Sequence, residues 1–266
     1  MTATATATAT PAVPTPRASA AGRPSVGRLT LVELRKMTDT RAGFWLLAVT
    51  ALGYAALVAV MFFAADPPEQ TFYGFFQITM LPSAVLLPVI GILAVTGEWT
   101  QRGALTTFTL VPERQRVAAA KLLAGVALAA ASVAAGLLFA ALGNLAGVAF
   151  TDGDGSWQLT AGALGSAVLL QVVNITMGVA FGMLLMSSPL AIVLYFLLPT
   201  VWSVLTSMIG ALRTAAEWLD LGVTSMPLAE NAMSGSDWPK LAASVGLWVV
   251  LPLAAGLVRL VRREVS

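Results

Sequence analysis

The stretch YGFFQITMLPSAVLLPVIGILAV, Tyr73 to Val95, runs directly into TGEWTQRGALTTFTLVPERQRVAAAK, Thr96 to Lys121. The first half is apolar and long enough to cross a hydrocarbon core of about 30 Å, which takes roughly 20 helical residues. The second half carries Arg102, Arg114, Arg116 and Lys121, and then the chain turns apolar again. Five more segments read like the first: Phe44 to Ala64, Leu122 to Phe150, Leu159 to Met186, Leu190 to Ile209 and Leu241 to Val258. The last is short and needs little tilt. The pattern predicts an all-α integral membrane protein with six transmembrane helices.

Orientation follows from the basic residues, because Lys and Arg are retained on the cytoplasmic side of a bacterial plasma membrane. Six lie before the first span, four between spans two and three, and three after span six, which accounts for thirteen of the fifteen. Only Arg213 and Lys240 fall on the other side. The expectation is a multi-pass protein with both termini cytoplasmic. Trp45, Trp99, Trp157 and Trp238 stand near span ends, where indole rings prefer to rest.

Composition excludes several functions. With 58% hydrophobic and 11% charged residues and a mean hydropathy of +0.83, no soluble domain is expected beside the bundle. The net charge of +2 is a matter of topology and not of nucleic acid. No cysteine means no disulfide, thiolate nucleophile or sulfur-ligated metal. No histidine removes the commonest general base and metal ligand. No catalytic residue, metal site or cofactor of this chain's own is expected.

The first residues, MTATATATATPAVPTPRASAAGRPS, cannot bury enough apolar surface to fold, and Met1 to Ser25 read as a disordered cytoplasmic tail. Alternating Thr and Ala supply neither the apolar stretch nor the cleavage site of a signal peptide. A six-span transmembrane domain is expected over residues 26–266. From Val26 to Arg41 the sequence VGRLTLVELRKMTDTR is helical in pattern. Val26, Leu29, Leu34 and Met37 share one arc and Arg28, Arg35, Lys36 and Asp39 the other, although Val32 falls in the polar arc and Glu33 beside the apolar one. Such a segment either lies along the cytoplasmic interface as a helix or serves as a basic anchor.

Within the loop Gly97 to Lys121, Leu105 and Phe108 are spaced to form the small apolar face of a short helix, and Pro112 marks a turn towards span three. A short amphipathic helix reaching into the cytoplasm suits a protein partner better than a lipid.

Three stretches resemble the permease subunits of ABC-2 type exporters. Leu31 to Leu47, LVELRKMTDTRAGFWLL, is similar to their interfacial connecting helix, whose charged residues here are Glu33, Arg35 and Lys36. The loop is similar in Glu98 ending span two, Arg102 with Gly103, Pro112 with Arg114, and Lys121 opening span three; Glu113 separates Pro112 from Arg114, which many relatives have adjacent. The ending Arg259 to Ser266, RLVRREVS, is similar to their basic close. The resemblance implies a half-transporter: two six-span subunits, identical or different, form a pathway, and separate ABC ATPase subunits carrying ATP and Mg dock on the cytoplasmic loops. This chain lacks the means to supply the ATPase. A phosphate-binding loop needs Lys followed by Ser or Thr, whereas Lys36, Lys121 and Lys240 precede Met37, Leu122 and Leu241.

These residues have simpler readings too. Glu98 is either a solvated charge or the partner of an Arg or Lys in the interfacial helix or loop. Arg102, Arg114 and Arg116 either mark topology or contact the ATPase. Pro82, Pro88 and Pro199 predict kinks or breaks within spans. The GxxxG pairs Gly143/Gly147 and Gly178/Gly182 allow close helix approach within or between subunits. Gln77, Ser83, Asn144, Gln171, Asn174, Thr176 and Ser203 are expected to hydrogen-bond between helices. Gln171 and Asn174 share a face of span four and are the candidates for lining a pathway. No charge lies deep in a span, which argues against a proton- or ion-coupled carrier and for an apolar or amphipathic cargo. Gly210 to Asp237, the longest outer loop, is expected to carry a short interfacial helix over Ala215 to Leu221. A non-transporting scaffold or sensor subunit is the alternative function, and a membrane enzyme a third.

Overall fold

The computed structural model describes residues 25–100, 114–151, 153 and 155–262, with side chains for 25–97, 115–151, 153 and 155–260. The expected tail and most of the loop between spans two and three lie outside these residues. Among the described residues all regular structure is helical. It comprises α1 (Val26–Asp39), α2 (Arg41–Ala64), α3 (Phe72–Thr100), α4 (Arg114–Phe150), α5 (Ala161–Leu185), α6 (Ser188–Met208), α7 (Arg213–Leu219), α8 (Leu221–Ala229), α9 (Asp237–Val245) and α10 (Leu251–Arg262). Six segments are long and apolar enough to cross a membrane, the sixth running through α9 and α10. The protein is an all-α, multi-pass membrane protein.

Each boundary has a local cause. Ser25 caps α1 by accepting from Arg28 N at 3.3 Å. A single extended residue, Thr40, ends α1 and opens α2, its Oγ1 accepting from Gly43 N at 3.1 Å. The elbow is tight enough that a Cβ at Gly43 would collide with the Met37 carbonyl. Spans four and five are joined by Met186 and Ser187 alone, with Met186 in the left-handed conformation at φ 53°.

Span three starts earlier than hydropathy places it, since α4 is helical from Arg114 onward; Arg116 and Lys121 are therefore on a helix and not in a loop. Span six is longer than its apolar core because α9 begins at Asp237, and a π turn, Gly246–Val250, joins α9 to α10. The prolines break nothing: α3 continues through Pro82 and Pro88, and α6 through Pro199. Neighbouring side chains hydrogen-bond the backbone around Pro82, with Ser83 Oγ and Gln171 Nε2 donating to Met80 O at 2.9 and 3.1 Å.

Helices α3 and α5 form the centre. In the most apolar part of each span, 56% of residues in α5 and 44% in α3 are buried, against 11% in α2 and 17% in α6. In lipid, helices are held by close fit more than by apolar burial. A Cβ at Gly178 would collide with Pro88 O, one at Gly182 would lie 3.1 Å from Ile92 O, and one at Gly91 would lie 2.8 Å from Ile175 O. The Gly178/Gly182 pair thus serves packing within the subunit. Gly143 faces Phe75 and Val58, and Gly147 faces Gln70, also within the subunit.

The end opposite α1 is closed by short helices. Asp220 is buried and caps α8 through Gly222 N at 2.9 Å and Val223 N at 3.3 Å, and Ser203 Oγ of α6 donates to its Oδ2 at 2.5 Å. Trp248 Nε1, within the π turn, donates to Leu219 O at 2.7 Å. Of the helix expected over Ala215 to Leu221, α7 carries Ala215 to Leu219, with Trp218 exposed on it; extended Asp220 ends it and Leu221 opens α8.

Candidate functional site

The residues expected to receive work from a partner divide into those the structure describes and those it does not. Arg102, Gly103, Leu105, Phe108 and Pro112 lie outside the described residues. Glu98 and Arg114 sit on the last turn of α3 and the first of α4, with their side chains outside the description. Glu33, Lys36 and Lys121 come together, whereas Arg35 faces solvent.

Glu33 is the hub. Its Oε2 accepts from Lys121 Nζ at 2.5 Å and its Oε1 from Lys36 Nζ at 2.8 Å. Lys121 also donates to the Ala94 carbonyl of α3 at 2.8 Å. Glu33 and Lys121 are 4% and 3% exposed, so this is a buried ion pair, while Lys36 keeps 40% of its side chain in contact with solvent. One carboxylate therefore ties α1 to α4, and the lysine it holds ties α4 to α3. Met37, one turn further along α1, packs with Leu87 and Ile90 of α3 and with Ala124 and Leu128 of α4. Glu33 lies beside the apolar arc on the wheel because it points inward, and Val32 lies in the polar arc because it is exposed. The apolar arc is only partly buried: Leu34 and Met37 pack inward, but Val26 is exposed.

Past this clamp, α3 continues from Ala94 to Thr100 and α4 begins at Arg114, seven residues before Lys121. At 1.5 Å per residue each helix runs about 10 Å beyond the clamp. The 101–113 connection is carried on two helical stubs whose base is bolted to α1. On the same end, Arg259 Nη1 of α10 donates to the Leu184 carbonyl near the end of α5, a cation at a helix C-terminus. Thr96 and Ser188 are 2.7 Å apart and join α3 to α6.

The expected pathway residues also meet, elsewhere. Gln171 and Asn174 line a groove of about 420 Å³ between α3, α5 and α8. On α3 it is lined by Tyr73, Phe76, Gln77, Met80, Leu81 and Ala84. On α5 the stripe is Ala163, Ala167, Leu170, Gln171 and Asn174, and the end of α8 with Glu230 and Asn231 forms the rim. Gln171 Nε2 bonds to Ser83 Oγ at 2.7 Å as well as to Met80 O, fulfilling its expected interhelical role, but its Oε1 has no partner. Asn144, wholly buried on α4, departs from expectation, since neither atom of its amide has a hydrogen-bond partner among the described residues.

Sequence reasoning missed the Glu33–Lys121 pair. The only signal was the misfit of Glu33 on the helical wheel, which admits a buried partner as readily as an imperfect helix. The chain matches no family model and no curated protein, so the clamp, the stubs and the groove are the ground on which function is read.

Proposed function

We propose that this chain is the permease subunit of an ATP-driven ABC-2 type exporter in a bacterial plasma membrane, with both termini cytoplasmic. It pairs with a second permease, of the same or another kind, and with a separate ATPase that binds ATP and Mg. The observation that carries this reading is the clamp below the helical stubs. A force applied at the 101–113 connection reaches α3 and α4 directly and α1 through Glu33 and Lys121. Since α3 is a central helix of the bundle, movement at the stubs is conveyed to the groove that it lines. In the sequence, thirteen of the fifteen basic residues fall before span one, between spans two and three, and after span six, which supports a cytoplasmic placement of this end.

The test is co-purification with a co-expressed candidate ABC ATPase subunit, and stimulation of its hydrolysis. Leu105→Asp and Phe108→Asp remove apolar anchors, and an anchor buried at an interface is worth about 2 kcal/mol or more, a factor of roughly thirty in affinity. Both variants are expected to express as monodisperse protein that fails to bind and stimulate the ATPase. Variants that bind and stimulate as the parent does would remove the loop from the mechanism and leave a scaffold or sensor subunit as the better reading.

A further inference from the structure

We propose that the groove between α3 and α5 is a binding site for a single-chain amphiphile whose chain ends in a hydroxyl group. It deepens the exporter reading by naming the class of cargo and rests on that reading only in calling the occupant cargo.

Spans two and four run in the same direction, and each contributes a stripe covering twelve residues, Tyr73 to Ala84 and Ala163 to Asn174. At 1.5 Å per residue the groove is about 16 Å long, half of a hydrocarbon core of about 30 Å. It extends from the bundle end carrying Glu230 and Asn231 to the middle of the membrane. Its lip is open sideways, with Leu81 59% exposed. Such dimensions match an extended chain of about twelve carbons, and the volume of about 420 Å³ lies within the range of small-molecule sites.

The deep end is not made for a methyl group. Asn174 lines it, half-buried and without a hydrogen bond among the described residues, and one turn above it Gln171, 1% exposed, has an Oε1 with no partner among them. A buried amide oxygen left unpaired at mid-membrane is costly, with no bulk water to satisfy it. A hydroxyl both donates and accepts, as the Asn174 amide does, so it satisfies this end where a methyl leaves it bare. At the rim Glu230 is the one charged lining residue, which disfavours an anionic headgroup.

The experiment measures binding of two tritiated probes to the full chain in lipid nanodiscs, with empty discs subtracted: dodecyltrimethylammonium and its 12-hydroxy analogue. One saturable site per chain is expected, with the hydroxylated probe tighter by about fivefold, the net worth of one neutral hydrogen bond. Asn174→Leu should abolish that preference and leave the affinity of the methyl-ended probe within about twofold. Ala84→Phe, which narrows the deep end from α3, should weaken both probes if the site is where the groove is. Absence of saturable binding, equal affinity for the two probes, or a preference that survives Asn174→Leu would each overturn the proposal. Because no ATPase is present, these outcomes are independent of the co-purification test.

Discussion

Glu33 shows how one side chain can organise three helices. A buried ion pair contributes little net stability compared with a well-packed apolar replacement, but removing a single partner strands a charge and costs about 3–5 kcal/mol. Glu33→Leu removes the carboxylate that accepts from Lys121 Nζ at 2.5 Å and is expected to destabilise the protein by up to about that much. The double variant Glu33→Leu with Lys121→Met should recover most of the loss, because neither charge then remains. Thermal unfolding in detergent, read as a double-mutant cycle, checks this: single and double variants that lose stability additively would show that the pair is not coupled. The same residue marks the limit of what was legible. Helical periodicity gives the facing of Leu34 and Met37 through their apolarity, but a carboxylate on that arc declares nothing about a lysine 88 positions away. Asn144 is the reverse case: its amide is legible as a helix-bonding group, yet neither of its atoms has a hydrogen-bond partner among the described residues.

Among the elements, the spans were legible because lipid permits so few structures: a backbone in hydrocarbon must be helical or closed into a barrel. Their ends were less so. Hydropathy stops where charge begins, whereas the α4 helix continues through Arg116 and Lys121 because hydrogen bonds, not apolarity, hold its backbone. The prolines leave α3 and α6 unbroken, and beside Pro82 the side chains of Ser83 and Gln171 bond to the Met80 carbonyl. A close helix approach was readable at Gly178 and Gly182, but not that α3, through Pro88 and Ile92, is the helix that approaches. Gly178→Ala tests whether this contact governs the bundle. Its methyl group would meet the Pro88 backbone, so the helices must part, at about 1–3 kcal/mol. Gly165→Ala, on the same helix with open space before it, should be neutral or stabilising by up to about 1 kcal/mol. Equal unfolding temperatures for the two variants would deny Gly178 that role.

For the whole molecule, the two ends of the bundle differ in chemistry as well as in shape. One end gathers α1, the stubs of α3 and α4, and Arg259 at the end of α5. The other is closed by α7 and α8, and its charged groups there include Asp220, buried as a helix cap, and Glu230 at the groove. From the sequence division of thirteen basic residues to two, the positive-inside rule predicts that the first end is cytoplasmic. This assignment decides whether the stubs can meet an ATPase and whether the groove opens towards the outer leaflet, so it is the prediction on which the molecule's use as an exporter turns. The chain has no cysteine, so single cysteines can be placed without background. In intact cells an impermeant thiol reagent is expected to label Asp154→Cys, and to reach Gly103→Cys only after the membrane is permeabilised. Labelling of Gly103→Cys in intact cells, with Asp154→Cys protected, would invert the bundle, put the clamp on the wrong side for an ATP-driven partner and remove the exporter reading altogether.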